Sequence, residues 1–554
     1  MRKYIIGLFL TVASSVGFTS CNDFLDMTPT DRVSDKGVWQ SLPSAENAVN
    51  YLYSYIIDIV GTECTAGMTE ALTDELKYGS YNYNAHCFIP SEISYGGSTL
   101  TASYVDAYLG FWSRDYEAVR RTNEALYSLH KYGTLSPEAT IRLEAELRFI
   151  RGFLYFDLMK RYKEVVLYDE NLEGIVPDKA LSSEEDGWNF IEADLRFAAT
   201  NLPIKERAGG RLNQGIAYAY LSRTMLYAQR WEVVKFAADE VAKLGYDLED
   251  NYADSYSKEL KDGNVEAILQ YVFNLEQNVY HSFDFYYTPG GDYTMNGLSG
   301  GGYGTPTQEM VESYEYAGKG GFPDWSEWHK EGVTSTPPYA DLEPRFHATI
   351  LYNGAPWKNR VIEPFVGGAD GFCVWNKEQE PKGRTTTGYY LRKLVDETHD
   401  VVAVKDSKQP NTIIRYAEVL LNKAEACYHL NDNQGANEAI RKIRARVNLP
   451  YSDKSGEALW KAIRQERRVE LAYEGLWYWD LRRWNVADKD YPEGLNNYQV
   501  HGLKVEKQPN GDFTYSYVTV DDKNRTFPSK MYRFPLPSNE LESNSLITQY
   551  PEWK

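Results

Sequence analysis

This 554-residue chain offers few starting points for catalysis. Gly297-Leu298-Ser299-Gly300-Gly301 matches the G-x-S-x-G nucleophile pattern. That pattern works only where a strand runs into the serine and a helix leaves it. More glycine and then Thr305-Pro306 come next here, so no nucleophile elbow is expected. Gly302-Tyr303-Gly304 begins like a dinucleotide loop, but Thr307 stands where the closing glycine belongs. No H-E-x-x-H or phosphate-loop pattern occurs. A glycosidase needs only two carboxylates, and Asp74, Glu75, Asp324 and Glu327 are available. In a chain with 79 acidic residues, most such side chains simply face water. The eight histidines are scattered. Cys64, Cys87, Cys373 and Cys427 form no CxxC pair, so a zinc site is not expected. Sequence does not fix the geometry that a Cys64–Cys87 bridge would require. No catalytic residue, metal or cofactor is assigned.

The richer chemistry is aromatic. The chain holds 45 tyrosines and 13 tryptophans, which serve cores and also make flat amphipathic platforms. A sugar ring presents an apolar C–H face that an aromatic ring can cover, while nearby polar side chains bond the hydroxyls. Two regions concentrate such rings. One is the polar loop after Asp74, with Tyr78, Tyr81, Tyr83 and Tyr95. The other, further on, carries Tyr286, Tyr287, Tyr293, Tyr303, Trp325 and Trp328. The ligand-contact expectation falls on Tyr81, Tyr83, Tyr287, Tyr293, Trp325 and Trp328, with Asp74, Lys77 and Asn296 as polar partners. The net charge of −20 excludes a general nucleic-acid role, whose phosphates need Lys and Arg.

Several elements must position these residues. Arg2 and Lys3 precede an apolar run, Tyr4 to Phe18, too short and too broken by Gly and Ser to span a membrane. Phe18-Thr19-Ser20-Cys21 then reads as a degenerate lipobox. Residues 1–20 are thus expected to be a lipoprotein signal peptide, and Cys21 the lipidated residue of a tether, 21–40. One domain, 41–554, is expected after it. Tyr104 to Leu129 carries one helical stripe, and Ser136-Pro137 opens another long helix. Small and large apolar residues alternate in 211–247 and again in 412–448, as in tetratricopeptide units. Between them, 248–410 turns rich in Gly, Tyr, Trp and Pro; so long a stretch of loop is usually functional.

Lys461 to Trp484, KAIRQERRVELAYEGLWYWDLRRW, organises the remainder. Arg467, Glu470 and Glu474 lie at helical steps among apolar residues, so they must either pair or avoid burial. Arg467 with Glu470, and Glu470 or Glu474 with other arginines, are the expected pairs. This segment resembles the C-terminal signature of the SusD/RagB family, surface nutrient-binding lipoproteins of Bacteroidetes. Arg464, Glu466, Arg467, Glu470, Leu471, Glu474, Gly475, Asp480, Leu481, Arg483 and Trp484 fill its places. The run LRFIRGFLYFDLMKRY and the segment Arg533-Phe534-Pro535-Leu536-Pro537 resemble further family landmarks.

The resemblance implies a mainly α, SusD-like fold. Four tetratricopeptide-like helix pairs (45–130, 137–203, 211–247 and 412–448) would build a superhelical scaffold. The loop-rich insertion 248–410 would sit on its ligand side, and the signature and C-terminal segment would occupy 456–554. The signature residues would hold the fold together without touching ligand. Implied too are a non-enzymatic glycan-binding role, a lipid anchor at the outer-membrane surface, and a SusC-like TonB-dependent transporter as partner. Peptide cargo in the same kind of complex, a protein-binding helical scaffold and, last, a glycosidase are the alternatives.

Overall fold

The computed structural model describes residues 35–57, 69–79, 85–173, 178–204, 209–374, 383–404 and 406–554. Cys21, Cys64, Tyr81 and Tyr83 lie outside them, as does the side chain of Cys87.

Helices dominate, and most begin where local chemistry says they should. The chief ones are α1 (Leu42–Leu52), α2 (Trp112–Tyr132), α3 (Pro137–Tyr162), α4 (Glu184–Asn201), α5 (Gln214–Tyr227) and α6 (Trp231–Ala242). After the insertion come α7 (Tyr416–His429), α8 (Asn433–Arg446), α9 (Gly456–Glu470) and α10 (Trp477–Arg483). Ser136 caps α3 by accepting from the Ala139 amide at 3.2 Å, with Pro137 in the first turn, as its sequence predicts. Ser183 and Asn213 cap α4 and α5 in the same way. From α2 to α9 each helix packs on the next, and α6 packs on α7 across the insertion. Ala217, Ala219, Ala237, Ala424, Ala426 and Ala436 are completely buried where these helices meet. The central helix, α3, is buried on nearly every face, which suits its lack of a polar side.

Some boundaries differ from expectation. The stripe Tyr104 to Leu129 is two helices, Ala102–Leu109 and α2, broken at Gly110, whose extended backbone caps the first. Residues 411–415 form a strand, so the last pair starts at Tyr416. Short strands of the insertion pair with strands outside it: β1 (Leu76–Tyr78) pairs with β3 (Gly304–Pro306), and β2 (Ala267–Tyr271) with β4 (Asn411–Arg415). A C-terminal hairpin of β5 (His501–Lys507) and β6 (Phe513–Thr519) was not foreseen.

Two apolar cores result, one within the helices and one within the insertion and hairpin. The signature segment bridges them: Leu459, Ile463 and Leu471 enter the first, Val469 and Tyr473 the second. An ion network fastens the same junction. Glu470, fully buried, binds Arg345 at 3.1 Å, Arg415 at 2.6 Å and also Arg446. Glu266 joins Arg415 and Arg446, Glu466 joins Arg345 and Arg444, and Glu474 joins Arg415 and Lys393. Insertion, last helix pair and signature helix are thereby tied together. Arg467 departs from expectation: it binds Asp480 (2.5 Å) and Asn422 (2.8 Å), because α10 brings Asp480 beneath it.

Candidate functional site

Strand pairing brings together the two aromatic regions that the sequence keeps more than 200 residues apart. In the β1–β3 ladder Tyr78 lies opposite Gly304, and the Gly79 amide donates to the Tyr303 carbonyl at 2.6 Å. Strand β1 therefore ends beside Tyr303, and Tyr81 and Tyr83 come next in the chain. Backbones meet here too closely for side chains. A Cβ on Gly79 would fall 2.3 Å from the Gly302 carbonyl oxygen, and one on Gly290 only 1.9 Å from that of Gly383. Tyr390 lies below, its hydroxyl within 2.8 Å of the Gly383 carbonyl.

On this junction stand three half-buried rings, Phe285, Tyr286 and Tyr303. Tyr286 and Tyr303 lie 4.7 Å apart at 45°, and Phe285 meets Tyr286 edge-on at 5.1 Å. Behind them Tyr287 is buried and stacks on Phe283 at 4.2 Å. Tyr293, also buried, donates its hydroxyl to the Phe285 carbonyl at 3.0 Å. Asp292 braces the adjoining loop, accepting from Thr288 (2.7 Å), Trp357 (3.1 Å), Lys358 (2.8 Å) and Arg360 (2.8 Å). Burial works to raise its carboxyl, but Lys358 and Arg360 outweigh that and hold it below the ordinary range. The rim carries Met295, Asn296 and Leu298, all exposed. Rings fixed on a locked backbone, with polar groups at the edge, form a preorganised shallow platform suited to a sugar face.

Of the expected contact residues, Asn296 is at this surface, while Tyr287 and Tyr293 support it from within. Asp74 and Lys77 are turned inward. Asp74 binds Arg468 at 2.9 Å, and Lys77, without solvent exposure, binds Asp521 at 2.8 Å and Ser91 at 3.0 Å. Unpaired burial would be costly for either charge, so both side chains are committed to the interior. Trp325 is buried against Tyr339 and Trp328 in the insertion's core. Trp328 is half-buried and donates to the Ser335 carbonyl at 3.0 Å. Phe285 and the pairing of Tyr286 with Tyr303 went unassigned; the flanking Gly290-Gly291 and Gly300-Gly301-Gly302 were the available signal. Ser299 lies on the exposed rim, and the chain runs from it into strand β3 rather than into a helix.

Residues 265–553 match the model of the SusD family. The chain belongs to that family. Over its whole length it is 23% identical to a SusD-like protein of Bacteroides ovatus, covering 96% of that protein. Among solved structures, a SusD-like protein of Bacteroides fragilis is similar at 27% identity and a TM-score of 0.75, with 95% of this chain and 99% of that one covered. A SusD-like carbohydrate binding protein of the same species is similar at 25% identity and a TM-score of 0.75, covering 92% of this chain and 100% of its own. The mainly helical architecture is that of these neighbours.

Proposed function

We propose that this chain is a lipid-anchored, cell-surface glycan-binding protein that captures oligo- or polysaccharide for a SusC-like TonB-dependent transporter. The observation that carries the reading is the platform of Phe285, Tyr286 and Tyr303, fixed at the end of strand β1, next in the chain to Tyr81 and Tyr83. The relative described as carbohydrate binding, similar along nearly its entire length, supports the same class of ligand. Binding to a preformed aromatic surface requires no turnover and no cofactor. Asn296 supplies a polar edge, and Tyr81 and Tyr83 are proposed as further ligand contacts. Cys21 carries the anchor, and delivery to the transporter follows from that placement.

Affinity electrophoresis of the chain from Asn22 onward, through gels containing neutral plant, microbial and host glycans, tests the reading. Retardation by at least one glycan is expected, with loss in Tyr286→Ala and Tyr303→Ala while the helical signal and melting temperature persist. Retardation that survives both changes refutes this site. Its absence with every glycan refutes the ligand class and favours peptide cargo.

A further inference from the structure

A second surface, built from the turn 315–322 and from residues 440–493, has the chemistry of a binding site. A groove of about 1380 Å³ runs along the outer side of α9, between α8 and the turn at Gly320-Gly321. Its size exceeds that of an ordinary small-molecule pocket. Trp460, Trp477 and Tyr451 line it half-exposed, and Phe322, 52% exposed, stands at the rim. These rings belong to a longer ladder. Tyr428 stacks on Trp460 at 5.2 Å, Trp460 meets Trp484 at 5.4 Å, and Trp484 meets Trp477 at 5.6 Å.

Charge distinguishes this groove from the remainder of an acidic chain. Its carboxylates are mostly neutralised: Glu315 and Glu466 by Arg444, Glu457 by Lys461, and Glu493 by Lys489. Asp490 alone has no cation partner among the described residues. Three lining cations, by contrast, have no carboxylate partner among those residues: Lys319, Lys454 and Arg464. Each rests on an aromatic ring instead. Lys319 lies 3.7 Å from the Tyr316 centroid, Lys454 5.5 Å from Tyr451, and Arg464 4.9 Å from Trp484. A cation over a ring is held in place while keeping its full charge. Arg464 departs from the expectation that signature residues stay clear of ligand. The signature's acids, and its arginines 467 and 483, are spent on internal ion pairs. Arg464 makes only a 3.4 Å bond to the Glu493 carbonyl.

We infer that this groove is a second glycan site, selective for linear saccharides that carry carboxylates, that is, uronic acid chains. The tryptophans cover ring faces, and Lys319, Lys454 and Arg464 pair with carboxylates spaced along the chain. The inference goes beyond the platform reading and stands independently of Tyr286 and Tyr303.

The test uses the chain from Asn22 onward with galacturonate, glucuronate and mannuronate oligosaccharides in titration calorimetry. Affinity for at least one is expected. It should weaken at least tenfold in Arg464→Glu and in the double variant Lys319→Glu/Lys454→Glu, and fall as salt is raised. It should vanish when the carboxyls are reduced to alcohols and remain unchanged in Tyr286→Ala. The lysine double variant keeps the test valid if Arg464→Glu misfolds. The inference is overturned if none of the three binds, if affinity survives the lysine reversals, or if Tyr286→Ala abolishes it. That last outcome would place uronates on the platform instead. Failure of the unaltered chain to bind any neutral glycan, with uronate binding intact, would sink the platform reading alone.

Discussion

Asp480→Ala should destabilise the protein more than Glu470→Ala, although Glu470 makes more ion pairs. The magnitude depends on what each change leaves behind. Glu470 sits among five cations (Arg345, Arg415, Arg444, Arg446 and Lys393) and five other carboxylates (Glu266, Glu315, Glu343, Glu466 and Glu474). Removing it leaves every arginine at least one acid and brings the cluster to charge balance. Asp480 is different. Among the described residues it is the only carboxylate touching Arg467, which is nearly unexposed and otherwise bonds only Asn422. Arg483 keeps Glu425 in either case. Stranding a buried charge costs about 3–5 kcal/mol, whereas thinning a network that stays paired costs about 1–3 kcal/mol. At the usual unfolding entropy per residue, a domain of this length loses about 1 °C of melting temperature per kcal/mol. Melting followed by circular dichroism should then fall by about 3–5 °C for Asp480→Ala and by about 1–3 °C for Glu470→Ala. Equal losses, or a larger loss for Glu470→Ala, would refute the argument that residual charge, and not the number of bonds, sets the cost.

Other perturbations use the same geometry. Gly290→Ala pushes a methyl into the Gly383 carbonyl, so it should lower the melting temperature and weaken retardation by neutral glycan in the same gels. Lys77→Met should lower the melting temperature and leave glycan affinity unaltered, because Lys77 serves Asp521 inside the fold; a selective loss of affinity would return Lys77 to the site. Acid should unfold the protein. Burial opposes ionisation of Glu470, yet Arg446, Arg415 and Arg345 hold it well below the usual carboxylate range, and Arg415 and Lys393 outweigh burial to lower Glu474. Their contribution is complete above the unfolded value of about 4.3 and is lost as pH falls through the lower folded values. Glu75 acts in the opposite sense, since burial and the neighbouring Glu70 push it well up. Melting scans from about pH 7 to about pH 3 should therefore decline mainly below about pH 4.3; a rise in melting temperature between about pH 7 and about pH 5 would show the raised carboxyls dominating.

Local chemistry wrote much of the architecture into the chain. Ser136-Pro137 set the start of α3, and the alternation of alanine with large apolar residues marked the helix pairs, because caps and helical periodicity act over a few residues. The signature was legible for a similar reason. Arg and Glu at core spacing oblige pairing wherever they are buried, though the choice of Asp480 for Arg467 needed α10 to fold beneath α9. The site was legible only by region. Aromatic side chains look alike in sequence whether they pack or wait for ligand, and burial decides between the two. Trp325, Tyr287 and Lys77 went inside, whereas Phe285, Tyr286 and Tyr303 stayed only half-buried. That division depends on contacts across more than 200 residues, made by the β1–β3 ladder and by backbones close enough to admit only glycine. Composition and spacing thus determined the scaffold and the kind of chemistry available, and long-range packing alone decided which rings face the solvent.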